Sequence, residues 1–353
     1  MIIFGSRAHY SAIGGVENSI RNFLKVVSQQ RGRAIIVCRE PLLDESLDPG
    51  ALKLPNGITP VTYFDDFQQN PFRRLCSLYY GGTALVKTYS SLYEKYPDAT
   101  VIVRHHLHVL AANRAGFRNI RYLVPSLTVN QLRATLSGAN ALRRAKIIIH
   151  MLIDGWSQSR AFVIASLFVF SYSMQGQVRN KLAKKFRDKS IELVRPGIDG
   201  SRFKPAVSRD KRRLRRQLGL PVEGKLFLFV GRFVEGKGLD YLIDAFAELP
   251  SDCFLVLVGE GESEDFIRDK INKLDIWERT ILPGKTSVVE YFYQASDVFV
   301  MSSTYEPFGQ TILEAAACGM RVVAFGPNSG VKTSTHELGI NTLIDYADTL
   351  DAE

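Results

Sequence analysis

The sequence predicts two Rossmann-like, doubly wound parallel-sheet domains that face each other across a cleft. The chain has 353 residues, of which 46% are hydrophobic and 23% are charged, which fits about two globular domains and argues against a disordered chain. Short apolar runs alternate with helical patterns, most clearly after residue 200. Such alternation is typical of a parallel sheet that helices cover on both faces.

The second domain is predicted to span residues 198–353. Its apolar strand-like runs end at glycines or turn residues, and helical spacing fills the segments between them. The predicted strands are 226–230, 254–258, 280–282, 298–301 and 321–325. The predicted helices are 239–248, 262–273, 288–294 and 311–318, the last of which stops at Gly319, a residue suited to the position after a helix end.

The first domain is predicted to span residues 1–197 and is less regular. A strand at 2–4 precedes a glycine turn and a helix at 16–28. Residues 40–75 and 125–165 show no periodicity that assigns a helix or a strand. Further strands are predicted at 34–37, 101–103, 121–124 and 169–170. The segment from Arg195 to Asp199, which contains Pro196 and Gly197, predicts the linker between the domains.

Charge divides the chain unevenly. Residues 1–200 contain 27 Lys and Arg against 13 Asp and Glu, a net charge of +14, whereas residues 201–353 carry −5. The first half is therefore expected to meet a polyanion, such as nucleic acid, an anionic membrane or a phosphorylated substrate. Interleaved aromatic residues are absent from the basic cluster at 211–216, which predicts a solvated helix face and no nucleic-acid partner.

Cysteine spacing and hydropathy indicate the compartment. The four cysteines lie far apart with no C-x-x-C pair, which argues against a zinc ribbon and a secreted disulfide scaffold. The longest strongly apolar run, 161–170, is half the length of a bilayer span of about 20 residues. We therefore expect a cytoplasmic protein, with peripheral contact to an anionic membrane as its one membrane association.

The first candidate site residues follow the strand at 226–230. The run from Gly231 to Gly238 contains Arg232 and Lys237 and opens the next helix. Glycines allow a sharp turn, and two cations near a helix N-terminus suit a diphosphate. The alternative interpretation is a solvated loop with exposed cations, and the residues by themselves do not separate the two.

A second group follows the strand at 298–301. Glu306 precedes a Pro-Phe-Gly turn, and Glu314 lies eight residues later in the next helix. Paired carboxylates accept hydrogen bonds from sugar hydroxyls, and a helix start offers unpaired N–H groups. The alternative is that Glu306 caps the helix and Glu314 is an ordinary helical residue. The helix-start residues are Phe308, Gly309, Gln310 and Thr311.

Two weaker signals lie in the first domain. Gly14 and Gly15 between the first strand and helix would allow close approach to a phosphate, although no G-x-G-x-x-G fingerprint is present. His105 and His106 follow the strand at 101–103, and either one could reach a substrate hydroxyl. A zinc site is not expected here, because adjacent side chains on a strand point to opposite faces.

These segments together resemble the retaining glycosyltransferases of family 4. The resemblance is carried by Phe229–Asp240, Val258–Gly261, Pro283-Gly284 and Glu306–Gly319, in that order, over about residues 190–330. It implies the GT-B fold and transfer of a hexose from a nucleotide-diphosphate sugar, with UDP- or GDP-sugars expected. The acceptor would be a glycan or a lipid-linked saccharide of polysaccharide or cell-envelope synthesis.

The resemblance also implies residue roles. Arg232 and Lys237 would hold the donor diphosphate, which Gly14 and Gly15 would approach from the other domain. Glu306, helped by the backbone of Phe308 to Thr311, would bind the donor sugar, and Glu314 would bind the ribose. His105 or His106 would lie near the reaction centre. No cofactor or metal is implied, because the cations would stabilise the leaving group.

Alternatives and departures remain. A non-catalytic or partner-dependent subunit, and a nucleotide-sugar epimerase or hydrolase, would use the same fold. Residues 331–333 read Val-Lys-Thr where the family has an Ile-Pro-Glu-like segment. The family also continues into helices that cross back to the first domain, and residues 346–353 are expected to begin such a helix. Two alternatives follow: the protein is shorter than the family, or its C-terminus is missing. The sequence does not specify an oligomeric state.

Overall fold

The computed structural model divides the chain into two compact units, Met1–Gly197 and Ile198–Glu353. The fold below rests on the residues that the structure describes. These are residues 1–10, 15–41, 53–64, 83–133, 141–194, 197–206, 208–326, 328–329, 331–338 and 343–344. The predicted helix at 346–353 lies outside them.

The N-terminal unit contains a seven-stranded parallel sheet in the order β3-β2-β1-β4-β5-β6-β7. This order places the reversal of strand sequence between β1 and β4, where open α/β sheets bind their ligands. The strands are β1 (Ile2–Ser6), β2 (Ala34–Arg39), β3 (Ile58–Tyr63), β4 (Thr100–Val103), β5 (Ile120–Leu123), β6 (Ser166–Val169) and β7 (Ile191–Leu193).

Helices on both faces bury this sheet. On one side β1 and β2 pack on α1 through residues such as Leu24 and Ile36, both fully buried. On the other side Tyr89, Phe117 and Phe162 fill the larger cluster. The described helices are α1 (Gly15–Gln29), α2 (Thr83–Lys95), α3 (His106–Ala115), α4 (Thr128–Arg133), α5 (Ala141–Ile164) and α6 (Tyr172–Lys181).

The C-terminal unit repeats the arrangement with a six-stranded parallel sheet, β10-β9-β8-β11-β13-β15. Here the order reverses between β8 and β11. The strands are β8 (Lys225–Val230), β9 (Cys253–Val258), β10 (Thr280–Gly284), β11 (Val298–Met301), β13 (Arg321–Phe325) and β15 (Leu343–Ile344). A separate parallel pair consists of β12 (Tyr305–Glu306) and β14 (Lys332–Thr333).

Five described helices accompany this second sheet. They are α7 (Ser208–Gln217), α8 (Leu239–Ala247), α9 (Glu264–Lys273), α10 (Val289–Ala295) and α11 (Gln310–Ala317). Phe229, Ile243 and Ile267 are fully buried on one face of the sheet, whereas Tyr293, Phe299 and Ala315 are fully buried on the other. Both faces are therefore covered, as the alternation of strands and helices predicts.

The basic run at 211–216 is not the uniformly solvated face that its composition predicts. Arg215 is buried, and its guanidinium donates to the carboxylate of Asp297 at 2.7 Å and to the carbonyl of Ala295 at 2.9 Å. Lys211 also contacts Asp297, at 2.6 Å. The prediction is wrong for this residue because a buried guanidinium can be satisfied by tertiary partners, here 80 or more residues away along the chain.

No helix in the described part of the chain is both long enough and apolar enough to cross a membrane.

Candidate active site

The central feature of the C-terminal unit is an ion pair between Lys237 and Glu306. The Lys237 ammonium donates to Oε2 of Glu306 at 2.6 Å, and the side chains are 24% and 12% exposed. Lys237 follows β8 and Glu306 follows β11, the two strands that flank the reversal of strand order. The fold thus brings together two predicted site residues that are 69 positions apart.

Lys237 is placed by a tight turn. It ends a 3₁₀ turn, Glu235–Lys237, and its carbonyl accepts from the Ser302 hydroxyl at 2.9 Å. Gly238 follows with φ of +61°, and a Cβ at that position would lie 2.0 Å from the Ser302 carbonyl oxygen. Only glycine fits there, so this turn is held directly against the end of β11.

Glu306 is held from three directions. Besides the contact with Lys237, its Oε1 accepts from the Gly309 amide at 3.0 Å, so the side chain does cap the following helix. Its carbonyl accepts from the Ser334 amide at 2.9 Å. In the β12–β14 pairing Glu306 lies opposite Thr333, so the segment that departs from the family pattern positions this carboxylate.

Arg232 occupies a different environment from Lys237. Its side chain is exposed, directly after β8 and Gly231. The backbone around it is crowded, since a Cβ on Gly259 would lie 1.9 Å from the Gly231 carbonyl oxygen and one on Gly261 2.3 Å from that of Phe233. The crowding fixes the loop backbone while the guanidinium remains open to an anionic ligand.

The start of α11 carries the predicted donor-binding backbone. Phe308 and Gly309 are buried, Gly309 has φ of +90°, and Gln310 and Thr311 are half-buried as the first two helical residues. The N–H groups of Gln310 and Thr311 have no acceptor within the helix, since the first turn of any helix leaves such groups without an intrahelical partner. With Glu306 accepting from Gly309, the helix start presents a carboxylate and free amides side by side.

Glu314 lies deeper than a solvent-facing helical residue. It is 4% exposed, and the Tyr293 hydroxyl donates to its Oε2 at 3.0 Å. Burial raises the pKa of Glu314 to about 7, against the Tyr293 hydrogen bond and the charge of Arg202, which lower it. Arg202 is itself held by Glu290 at 2.6 Å. The pKa of the Glu314 carboxyl therefore lies close to neutral pH.

This pKa leads to a prediction about stability. Below about pH 4.5 the carboxyl is protonated in both the folded and unfolded chains, and between that pH and about 7 the folded chain binds more proton. The wild type should therefore lose up to about 3 kcal/mol of unfolding free energy as pH rises through this window. Glu314→Gln, which stays neutral and can still accept from Tyr293, should not lose it.

Urea unfolding at a series of pH values checks this expectation. The wild type and Glu314→Gln should match at the acidic end, and the variant should be more stable at the basic end. Glu264→Gln is the control, since Glu264 pairs with Arg268 on the surface at 35% side-chain exposure. An unchanged difference between wild type and Glu314→Gln across the window would contradict the assigned environment.

In the N-terminal unit the two predicted histidines have separate environments. His105 caps α3, with Nδ1 accepting from the Leu107 amide at 3.3 Å and Nε2 lying 3.5 Å from the Arg7 guanidinium. It is half-buried, whereas His106 is 3% exposed with Nε2 3.8 Å from the Asp154 carboxylate. Of the two, His105 is the one with side-chain surface open to a ligand.

The sequence predicts that the side chains of His105 and His106 point to opposite faces of a strand, and this prediction is wrong. His105 and His106 lie at the start of α3, and their rings stack with centroids 4.3 Å apart. Burial lowers the pKa of His105 well below its usual value, and His106 and Arg7 lower it further. Leu107 donates to Nδ1, whereas the Arg7 guanidinium, which can only donate, lies beside Nε2, so the two contacts favour opposite tautomers of the neutral ring.

His108 belongs to the core. Its Nδ1 is 2.9 Å from the Tyr89 hydroxyl and its Nε2 is 3.3 Å from that of Tyr63. Burial, with the charge of Arg7, lowers its pKa to about 3. Among the described residues no group of three or more His, Cys, Asp or Glu is arranged to hold a metal ion.

The predicted glycine turn is only partly described. Gly15 begins α1, and Gly14 lies outside the described residues. The first helix thus starts at the carboxyl end of β1, beside β4.

Sequence reasoning missed three residues that support the site. Arg7 follows β1 and lies beside His105, because β1 and β4 are neighbours in the sheet. Tyr293 and Ser334 hold Glu314 and the Glu306 backbone. The sequence could have indicated Arg7, since it follows an apolar run that predicts a strand and thus lies at a strand end. The other two had no such signal, because tertiary packing alone makes them neighbours.

Comparison with known families identifies the C-terminal unit. Residues 210–344 match the profile of the family described as glycosyl transferases group 1. The C-terminal unit belongs to this glycosyltransferase family. The matched segment contains Arg232, Lys237, Glu306 and Glu314, so the ion pair lies within the region that defines the family.

Curated relatives match this chain over less than half its length. Mannosylfructose-phosphate synthase of Agrobacterium fabrum is 34% identical over 148 residues, 38% of this chain and 32% of that protein. D-inositol 3-phosphate glycosyltransferase of Xylanimonas cellulosilytica is 33% identical over 169 residues, 45% of this chain and 40% of that one. The matches therefore span about a third to two fifths of these relatives.

Solved structures match over nearly the whole chain and show the GT-B fold. Sucrose-phosphate synthase from Thermosynechococcus elongatus has a TM-score of 0.71 at 20% identity, covering 94% of this chain and 81% of that one. HepE of Anabaena, with UDP and glucose, has a TM-score of 0.70 at 18% identity, covering 99% and 88%. WaaG, involved in lipopolysaccharide biosynthesis, has a TM-score of 0.70 at 16% identity, covering 96% and 84%.

Proposed function

We propose that the protein is a retaining glycosyltransferase of family 4 that transfers a hexose from a nucleotide-diphosphate sugar, UDP- or GDP-linked, to a glycan or lipid-linked acceptor. The observation that carries the proposal is the Lys237–Glu306 pair at the strand-order reversal. It sets a cation for phosphate beside a carboxylate for sugar hydroxyls. The HepE structures that hold UDP and UDP-glucose support this class of donor.

The chemistry assigned to the site is electrostatic. Breaking the bond from the sugar to the diphosphate develops negative charge on the leaving group. Arg232, Lys237 and the first amides of α11 would stabilise that charge without reorganising, and they would do so without a divalent metal. Glu306 would accept hydrogen bonds from donor-sugar hydroxyls, and Glu314 from the ribose.

Retention is proposed to arise from attack on the same face of the sugar as the departing diphosphate. Glu306 as a covalent nucleophile is the alternative, but its Oε2 is held by Lys237 and its Oε1 by the Gly309 amide. A carboxylate stabilised on both oxygens is a weaker nucleophile. His105, as a neutral ring, would contact a hydroxyl of the donor sugar, with Gly14 and Gly15 near its diphosphate.

The acceptor side is proposed to be the N-terminal unit. Residues 1–200, which contain this unit, carry the +14 charge, which suits phosphorylated or lipid-linked saccharides at an anionic membrane. A relative from Rhizobium meliloti named for lipopolysaccharide core biosynthesis, and WaaG, named for lipopolysaccharide biosynthesis, support a role in polysaccharide or cell-envelope synthesis. We place the protein in the cytoplasm, with peripheral membrane contact.

A thermal-shift screen of UDP-, GDP- and ADP-linked sugars tests the donor proposal. A donor at about one hundred times its Kd should stabilise the folded protein by about 2.7 kcal/mol, which raises Tm by several degrees. Lys237→Ala should lose the shift, and Lys211→Ala should keep it. Failure of every nucleotide sugar to raise Tm would contradict the proposal and favour a non-catalytic subunit.

A further inference from the structure

One face of α5 carries large apolar side chains that are exposed in the described part of the unit. Ile148, Leu152 and Trp156 follow one another at four-residue spacing, and they are 49%, 69% and 44% exposed. Residues four apart lie within about 40° of each other around a helix, so the three form one ridge. Ile149, also 49% exposed, widens it.

An apolar groove of about 410 Å³ runs beside this ridge. Ile148, Leu152 and Trp156 form one wall, and the other lining residues include Val129 of α4 and Phe162 near the end of α5. Lys181, at the end of α6, also lines the groove and is exposed. The groove is therefore mostly apolar, with the polar side chains of Gln158 and Ser159 and the cation of Lys181 in its lining.

The charge around the ridge is predominantly positive. Residues 141–190 contain ten Lys and Arg against two Asp and Glu. Exposed Arg144 and Arg160 lie one turn before and one turn after the ridge, and the Arg160 guanidinium covers the Trp156 ring at 4.9 Å. Asp154, the acidic residue of α5, lies 3.8 Å from His106 rather than among these cations.

We propose that this surface, formed by the ridge together with Arg144, Arg160 and Lys181, docks onto an anionic lipid bilayer. Exposed Leu, Ile and Trp flanked by arginine and lysine are the groups that enter the boundary between headgroups and acyl chains. The ridge residues would insert at that boundary, and the cations would contact lipid phosphates.

Charge argues against two other occupants. Pairing with a second copy through the same face would bring the cations of both copies together, which is unfavourable. A nucleic acid would pair with the cations but would leave the aliphatic ridge without an apolar partner. The inference rests on the proposed function, which includes a peripheral membrane contact, and it assigns that contact to one surface. Vesicle binding can be measured without donor or acceptor.

The two tryptophans of the sequence provide the test. Trp156 lies on the ridge, and Trp277, 43% exposed, lies in the C-terminal unit. Trp277→Phe leaves Trp156 as the one reporter, and its emission should shift to the blue on vesicles of phosphatidylcholine with phosphatidylglycerol. Trp156→Phe leaves Trp277, whose emission should stay unchanged on the same vesicles.

Co-sedimentation with the same vesicles separates the apolar and ionic contributions. Leu152→Ser and Lys181→Glu should each weaken binding about fivefold or more, and salt should weaken it further. The matched controls are Phe266→Ser, which replaces a side chain 55% exposed in the other unit, and Lys273→Glu, which makes the same charge change there. Both controls should bind vesicles like the wild type.

Several outcomes would overturn the inference. Equal binding to vesicles of phosphatidylcholine alone, an unshifted Trp156, or loss of binding in the controls would each exclude this surface. Self-association that Leu152→Ser abolishes would assign the ridge to a second copy instead. Leu152→Ser should also keep the nucleotide-sugar thermal shift of the wild type, so failure of donor binding and failure of membrane docking are distinguished.

Discussion

Lys237→Ala is expected to lower kcat/KM for sugar transfer by about 10²–10³-fold, the effect of removing one preorganised charge from a transition state. The ammonium lies 2.6 Å from Glu306, so its loss removes a phosphate contact and also frees the carboxylate that would bind the sugar. The change should therefore affect kcat as well as KM. Steady-state kinetics with the donor found by the thermal-shift screen measures both.

Lys211→Ala is the matched control for this substitution. Lys211 and Asp297 form an ion pair of the same 2.6 Å length that is somewhat more exposed, and Asp297 precedes β11 and thus lies at its opposite end. Asp297 also keeps Arg215 when Lys211 is removed. Transfer by Lys211→Ala should match the wild type, and a comparable loss in both variants would indicate a stability effect rather than a site.

Glu306→Gln is the second single variant of a double-mutant cycle with Lys237→Ala. It keeps the shape of the side chain but removes the charge that Lys237 contacts, and we expect a loss similar to that of Lys237→Ala. The double variant should lose much less than the two single losses combined, since each single change already breaks the shared contact. Additive losses would mean that the two residues act separately.

Gly238→Ala is expected to cost about 3 kcal/mol or more of unfolding free energy, because a steric clash adds to an unfavourable backbone conformation. The added Cβ would lie 2.0 Å from the Ser302 carbonyl oxygen, so the turn must move away from β11. Lys237 would move with it. We therefore expect weaker donor binding in the fraction that folds, measured by thermal shift beside urea unfolding.

Gly219→Ala separates the two contributions. Gly219 has φ of +66°, close to the +61° of Gly238, but a Cβ there would meet nothing within 4 Å. This control should lose only about 1–2 kcal/mol of unfolding free energy, which is the cost that a left-handed backbone imposes on one alanine. Equal losses at both positions would show that the contact with Ser302 contributes nothing.

Pattern reasoning succeeded where elements are short and regular. The strand at 298–301 and the strand at 321–325 are confirmed, as are helices close to the predicted bounds, such as Leu239–Ala247. It failed on α5, whose 24 residues all fall in the stretch at 125–165 that was left unassigned. Its apolar residues include both the buried Phe162 and the exposed ridge, so no single face stands out in the sequence.

The candidate site was also predicted only in part. The residue types and their places after strands indicated which side chains to consider, but not which of two histidines is open or that Glu314 is buried. His105 and His106 differ because α3 begins between them, so one caps the helix and the other packs inside the unit. Burial of this kind depends on neighbours from α5, nearly fifty residues away.

The sequence by itself determined the fold class, the two-domain organisation and the strand ends at which the candidate residues lie, because these depend on local periodicity and turn chemistry. Only the tertiary structure decided that Lys237 contacts Glu306, that Tyr293 binds Glu314 and that Ile148, Leu152 and Trp156 remain uncovered. The physical reason is that strand order in a parallel sheet sets which strand ends become neighbours, and side-chain packing then decides what is buried.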